Sequence, residues 1–416
     1  MTEQKTIQQI EDLLRPYVPL VAQILGKTVN LDRMIPLLEL AGNPHKKLKV
    51  VHVAGTSGKT STCYFVSALL QSSGMKVGLS VSPHVNTITE RVQIDNKPMP
   101  AHEFLTELKE FLELTVDVDE QPSYFELLLA FALWECVRQG VDYAVIETGM
   151  GGLLDASNVI TRADKVCIIT DIDYDHMHVL GDTLELISTQ KAGIIHNGNH
   201  VFCYQQAPVI MSQIEKRVAK NEATLHTVNE QDSSKELFSS LPLFQARNYY
   251  LAHQTVEYIS KRDKFVCAPI DPNTVAVPGR METRLLKDGS TLILDGAHNK
   301  QKVKTFVESF KHKYPGEHVV CVLALKEGKE YQGVIDELEQ ICSEFILTTF
   351  NSSQDLPVRS QKPSDLYEYC KRKNIKATTT VNLEDAVNAL EQRNSGIKLV
   401  IGSFYMLGQI KSLLEA

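Results

Sequence analysis

The stretch Val51-His-Val-Ala-Gly-Thr-Ser-Gly-Lys-Thr-Ser-Thr62 gathers residue types that handle phosphate. Gly55 and Gly58 let backbone N–H groups curl around an anion, a following helix N-terminus would offer further unpaired donors, and Lys59 adds a cation that can follow a phosphate in transfer. Val53 stands where a strict Walker A box has its first glycine, so the match is to the shorter form Ala-x-Gly-Thr-x-Gly-Lys-Thr. Gly55, Thr56, Ser57, Gly58, Lys59, Thr60 and Ser61 are accordingly expected to hold a triphosphate. Four more groups carry reactive side chains: Ser82-Pro-His84, Glu147 at the head of a glycine-rich loop reaching Asn158, Asp175-His176, and Lys191 in Gln190-Lys-Ala-Gly-Ile-Ile195.

The elements around them explain how they could meet. An apolar run (Leu48, Val50, Val51, Val53) precedes the glycine turn and an apolar helical pattern follows it (Tyr64-Phe65-Val66, Ala68-Leu69-Leu70), which predicts strand, turn, helix. Further strands are predicted at Val77–Val81, Val141–Ile146 and Lys165–Thr170, a strand-like piece at His200–Tyr204, and helices near 101–114, 123–139 and 182–192. Alternating strands and helices imply a parallel sheet with right-handed crossovers, and ligands of such sheets bind beyond the carboxyl ends of the strands. Gly55–Thr60, Ser82–His84, Glu147 and Asp175–His176 all fall at such ends, so four independent motifs point at one crevice.

The remainder of the chain reads as follows. Two helices are expected within residues 1–46, a helix and a polar surface segment (Glu230-Gln-Asp-Ser-Ser-Lys-Glu) within 205–240, a helix near 248–262, and a turn-rich stretch at Val277–Thr283. Strands near 292–295, 318–324, 344–349, 376–380 and 398–402 alternate with helices and predict a second doubly wound domain. The fold class is therefore α/β: a larger N-terminal domain with a P-loop and a mainly parallel sheet over residues 1–288, and a smaller Rossmann-like domain over 289–416, divided at Leu286-Lys-Asp-Gly-Ser290.

Composition narrows the partners. At 416 residues, 43% hydrophobic and 23% charged, the chain suits a two-domain enzyme-sized molecule. A net charge of −8 with no basic run leaves no electrostatic footprint for nucleic acid. Eight scattered cysteines without a Cys-x-x-Cys motif read as reduced core thiols of a cytoplasmic protein. No apolar run reaches the roughly 18 residues of a membrane span.

Taken in order, these motifs resemble the ATP-dependent Mur-type ligases, and within them the folylpolyglutamate synthase/dihydrofolate synthase enzymes. The carriers are Ala54-Gly-Thr-Ser-Gly-Lys59, Ser82-Pro-His84, Glu147-Thr-Gly-Met-Gly-Gly-Leu-Leu-Asp-Ala-Ser-Asn158, Asp175-His176, Lys191-Ala-Gly-Ile194, Gln245 with Asn248, Pro278-Gly-Arg280, Asp295-Gly-Ala-His-Asn299 and Ile401-Gly-Ser403. Thr60, Leu153 and Phe244 depart from the folate enzymes' usual glycine, arginine and histidine.

The resemblance implies a ligase that phosphorylates a carboxylate with ATP and then lets the amine of L-glutamate attack the acyl phosphate, acting on a folate and, in the bifunctional form, on dihydropteroate. It implies Mg²⁺ at two sites, one held by Ser82 and Glu147 and one by Glu147 and His176, since this hard cation takes oxygen ligands and some imidazole. Lys59, His176 and Lys191 become catalytic candidates; Lys191 is similar to a lysine that carries a carbamate, and a monovalent cation belongs to the same expectation. Asn248, Arg280, Asp295 and His298 are implied as nucleotide contacts, and His84, Asp155, Ser157 and Asn158 as substrate contacts. A monomer is expected. Two alternatives stay open: a Mur-type acid–amino-acid ligase for a non-folate carboxylate, and a nucleotide-binding switch without ligase chemistry.

Overall fold

The computed structural model describes residues 2–18, 31–229, 241–352 and 358–415. The chain divides into two compact units, Met1–His84 with Ile88–Lys235 and Gln245–Val275, and Val85–Thr87 with Glu236–Phe244 and Ala276–Ala416.

In the first unit eight strands form one sheet: β1 (Val50–Ala54), β2 (Val77–Ser80), β3 (Gln93–Ile94), β4 (Lys97–Pro98), β5 (Tyr143–Glu147), β6 (Val166–Ile169), β7 (His200–Tyr204) and β8 (Thr224–Val228). Their order is β4-β3-β2-β5-β1-β6-β7-β8. The run from β2 to β8 is parallel, and only the β2-β3-β4 ribbon is antiparallel. Every residue of β1, β5 and β6 is buried, as a parallel sheet covered on both faces requires. One apolar cluster joins Val50, Ala144 and Ile146 to Phe104, Phe111 and Phe131 from the helices Ala101–Leu114 and Tyr124–Arg138. Another joins Ala54, Cys167 and Ile169 to Ile187 and Ile214 from the helices Leu184–Ala192 and Pro208–Lys220. Each large side chain so buried contributes about 1.5–3 kcal/mol.

Register sets the ends of the strands level. Val53 of β1 pairs with Glu147 of β5, and Ala54 with Ile169 of β6, so the residues following β1, β5 and β6 leave the sheet together.

The second unit holds a six-stranded sheet of β9 (Glu282–Leu285), β10 (Thr291–Asp295), β11 (Val319–Leu323), β12 (Cys342–Leu347), β15 (Ala377–Thr379) and β16 (Ile397–Ile401), ordered β15-β12-β11-β16-β10-β9. It is parallel except for β9, and a separate two-stranded ladder pairs β13 (Asn351–Ser352) with β14 (Val358–Arg359).

The α/β class and the two sheets agree with the sequence reading, and three details differ. The dividing point lies near 275/276 rather than 288/289, because β9 pairs antiparallel with β10 and so belongs to the second sheet. The short β3 and β4 and the edge strand β8 went unpredicted, since two-residue strands and a half-exposed run such as Thr224-Leu-His-Thr-Val228 lack an apolar period. The helix expected near 248–262 starts earlier and spans Leu243–Asp263. Helices at Glu3–Leu14 and Met34–Leu40 match the two expected at the N-terminus. The polar segment from Glu230 lies outside the described residues.

Candidate active site at the carboxyl ends of the first sheet

Gly55 leaves β1 with φ +152°, and a β-carbon there would stand 1.8 Å from the Thr170 hydroxyl at the end of β6. Only glycine fits. Gly58 takes φ +88°, a left-handed conformation that favours glycine, and its missing side chain leaves room for the Asn248 amide oxygen, 2.4 Å from where a β-carbon would lie. Asn248, buried on the helix Leu243–Asp263, therefore packs directly on the loop.

The helix Lys59–Ser72 begins at Gly58, which has no side chain to cap its first-turn N–H groups. The buried Ser57 and Ser61 hydroxyls also lack a hydrogen-bond partner. Unpaired donors at a helix N-terminus are what a phosphate group requires. Part of the expected cradle is otherwise engaged: the Thr56 and Ser57 N–H groups donate to the Asp171 carbonyl at 2.8 and 3.3 Å, and the Thr56 hydroxyl donates to the Asp173 carbonyl at 2.9 Å.

Two lysines converge on the loop. Lys59 Nζ donates to the Gly55 carbonyl at 3.2 Å, and Lys191 Nζ donates to the same oxygen at 2.8 Å. Lys191 is buried, in contrast to the solvated helix lysine that its sequence context alone suggests. Its helix is tied to the glycine-rich loop by Leu153 N–H donating to the Gln190 carbonyl at 2.7 Å.

Glu147 ends β5 with a buried carboxylate. One of its oxygens accepts from the Thr60 hydroxyl at 3.0 Å and the other from the Ser82 N–H at 3.1 Å, which joins three loops at one group. The small recess beside it is lined by Ser80, Ser82, Arg91, Phe125, Leu128 and Glu147, among others. Among the described residues no cluster of three or more His, Cys, Asp or Glu could cage a metal. One carboxylate with neighbouring hydroxyls is instead the donor set of a Mg²⁺ shared with substrate phosphates.

The remaining candidates divide. His176 lies three residues beyond Asp173, with its side chain 46% exposed and Asp175 3.9 Å away, at the start of the short helix Met177–Leu180. His84 is buried and accepts from Arg91 Nε at 3.2 Å. Burial, and then Arg91, hold its imidazole well below the usual range, so it stays neutral.

Asp155, Ser157 and Asn158, expected as substrate contacts, are all buried and hydrogen-bonded within the protein. Asp155 accepts from Met150 N–H at 2.8 Å, from Ser157 N–H at 3.0 Å and from the Ser157 hydroxyl, while burial pushes its carboxyl up. The Asn158 amide donates to the Leu153 and Gly193 carbonyls at 2.9 and 3.3 Å. These residues shape the loop after Glu147 and secure it to the Lys191 helix.

In the second unit Arg280 and His298 meet the ring of Phe404. The Arg280 guanidinium stacks 4.1 Å from that ring and the His298 imidazole meets it edge-on at 6.3 Å. Asp295, at the end of β10, accepts from the N–H groups of Met281 and Ala297 at 2.8 Å each. Burial raises its carboxyl to about 6 in spite of Arg280.

Sequence reasoning passed over His52, Thr148 and Lys165, which are fully or almost fully buried beneath the site. Lys165 Nζ donates to the carbonyls of Ile160 and Ile194 at 2.6 and 2.7 Å, and burial lowers its ammonium to about 8. The available signal was a histidine within the apolar β1 and a lysine just before the apolar β6.

Residues 53–266 match the Mur ligase middle domain and residues 280–414 the dihydrofolate synthetase C-terminal domain. The dihydrofolate synthase/folylpolyglutamate synthase of Bacillus subtilis is 29% identical, with 94% of this chain and 96% of that protein covered. The dihydrofolate synthetase of Saccharomyces cerevisiae is 28% identical over 92% and 97%. A crystal structure of Mycobacterium tuberculosis folylpolyglutamate synthase complexed with ADP superposes with a TM-score of 0.85 at 25% identity, covering 100% of this chain and 99% of that one. With its phosphate loop, buried carboxylate and paired lysines on a Mur ligase middle domain, and a dihydrofolate synthetase-type domain after it, the chain belongs to the Mur ligase family of ATP-dependent ligases.

Proposed function

We propose that the chain joins L-glutamate to the carboxylate of a folate, and of dihydropteroate in the bifunctional form, through an acyl phosphate. The observation that carries the reading is the meeting of Lys59 and Lys191 on the Gly55 carbonyl, within a phosphate loop whose Thr60 hydroxyl reaches the Glu147 carboxylate. Lys59 supplies a cation for a phosphate there, and the buried Lys191 amine beside it is the group that a carbamate would convert. The full-length relatives named dihydrofolate synthase and folylpolyglutamate synthase support the choice of acceptor.

In this reading the N–H groups and hydroxyls of Gly58, Lys59, Thr60 and Ser61 bind the phosphates, and Lys59 follows the γ-phosphoryl group as charge develops on it. Asn248 meets the nucleotide from the helix behind the loop, while Arg280, Asp295 and His298 are the second unit's proposed nucleotide residues. Glu147, Ser82 and His176 are the proposed ligands for Mg²⁺. When bound there, the cation neutralises charge between the transferring and leaving phosphates. The acceptor carboxylate attacks the γ-phosphorus, ADP departs, and the glutamate amine displaces phosphate from the acyl carbon. A carbamate on Lys191 is part of the proposal: it replaces a cation with a carboxylate-like group at a buried position beside the loop. A monovalent cation and a monomeric state complete it. Eight unpaired thiols support a reducing compartment, the cytoplasm. Among the described residues no helix is long and apolar enough to cross a membrane.

The test is ADP release with dihydropteroate, tetrahydrofolate or its polyglutamates, each with and without L-glutamate. Release that needs both substrates is expected. ADP formation indifferent to both would replace the ligase reading with a nucleotide switch, and a response only to other carboxylates would move the acceptor outside the folates.

A further inference from the structure

We propose that His52 is a positioning residue: through Ser157 and Thr148 it holds the Glu147 loop against the strand that feeds the phosphate loop, and so sets the carboxylate where a divalent cation is bound. This deepens the proposed function and rests on Glu147 as a ligand of that cation.

His52 sits in the middle of β1, three residues before Gly55, with no solvent exposure. Its Nε2 lies 2.8 Å from the Ser157 hydroxyl and 3.1 Å from the Thr148 hydroxyl. The proton positions follow from counting donors. Asp155 accepts from two backbone N–H groups and from the Ser157 hydroxyl, as an ionised carboxylate does, so the single Ser157 proton is directed at Asp155. Ser157 can then only accept from His52, which places the imidazole proton on Nε2. Nδ1 is left as a bare acceptor, and it is indeed buried without a partner. An apolar side chain of similar volume would avoid that orphaned atom, so what the imidazole contributes here is its Nε2 donor.

His52 donates to Ser157, Ser157 donates to Asp155, and Asp155 also accepts from the Met150 N–H, so the hydrogen-bonded chain spans the loop that Glu147 opens. Thr148, the next residue after Glu147, is fixed twice by the same strand: its N–H donates to the Val53 carbonyl at 2.9 Å and its hydroxyl meets His52. The strand carrying the phosphate loop and the loop carrying the carboxylate are thus joined by one buried side chain. Partners that orient a metal ligand usually change metal affinity about 10–100-fold when removed.

Calorimetric titration of Mg²⁺ into the full chain with ADP tests this without the ligase reaction. His52→Leu and Ser157→Ala should raise the Mg²⁺ concentration that half-maximally tightens ADP binding by about 10-fold or more, while ADP affinity in EDTA stays as in the unaltered protein. His52→Gln should recover most of the loss, since its amide nitrogen lies as many bonds from Cα as Nε2 does. Should His52→Leu fail to fold, Ser157→Ala carries the same comparison. An unchanged Mg²⁺ requirement in Ser157→Ala and in folded His52→Leu, alongside its loss in Glu147→Ala, overturns the role of His52 alone. An unchanged requirement in Glu147→Ala as well overturns both this inference and Glu147 as a ligand.

Discussion

The two units are built on similar parallel sheets and hold several of their buried charges differently. In the second unit three buried ions meet opposite charges: Lys398 pairs with Asp288 at 2.7 Å, Glu344 with Arg393 and Lys376 at 2.7 Å each, and Lys411 with Glu282. In the first, Lys165 rests on two carbonyl oxygens and Lys191 on a third, while Glu147 takes a hydroxyl and an N–H. The comparison sets ions that pair within the architecture beside groups proposed to serve a ligand.

The strongest way to break that comparison is to alter each kind of position and watch which property fails. Lys59→Ala and Glu147→Ala should each lower the rate of ADP release by about 1,000-fold or more, because several kcal/mol of transition-state charge stabilisation are lost, with melting temperatures near the unaltered protein. Phe345→Ala, in the fully buried core of the second sheet, should do the reverse and lower stability by about 3–5 kcal/mol. Near-normal turnover in Lys59→Ala, or its unfolding, would assign that lysine to the architecture.

A smaller effect distinguishes the two lysines on the Gly55 carbonyl. Lys191→Ala should lose about 100-fold in activity and regain part of it with formate or acetate, whose oxygens would replace those of a carbamate. Lys191→Arg should not respond, because a guanidinium stays positive and fills the space. Mass analysis showing an unmodified amine in active enzyme, with wild-type rates for Lys191→Ala, ends the carbamate proposal.

The smallest effect is on acid stability. Burial first, then Lys165 for His52 and Arg91 for His84, keeps both imidazoles in the folded chain well below the ordinary 6.5. Below that pH the unfolded chain takes protons that the folded chain refuses, so stability present above pH 6.5 is lost as pH falls, by about 1.4 kcal/mol per pH unit per histidine. His84→Gln should flatten the dependence by about one such increment in urea unfolding between pH 7 and 5. Asp295 acts with the opposite sign. Its carboxyl, raised to about 6, holds a proton that the unfolded chain has already released, so its penalty is full above that pH and eases below it. An unchanged slope in His84→Gln would mean that this ring titrates freely in the folded state.

Much of the site was legible because phosphate handling imposes local demands. Glycines at 55 and 58, a lysine at 59 and a carboxylate closing a strand at 147 can each be read from a few neighbouring residues. Asp155, Ser157 and Asn158 lie in the same glycine-rich loop, yet their side chains turn inward, and nothing in their spacing distinguishes a ligand contact from a loop brace. His176 and His84 show the same limit: one histidine is exposed and the other buried against Arg91, though both follow predicted strands.

By itself the sequence determined the alternation of strands and helices, the phosphate loop and the order of motifs along the chain, because apolar periodicity and glycine turns act over a few residues. Only the tertiary structure decided that β9 belongs to the second sheet, that Lys191 is buried on the Gly55 carbonyl, and that His52 reaches Ser157, 105 residues away. Those outcomes depend on strand order and register, which are set by the packing of whole layers and leave no mark in any short stretch of sequence.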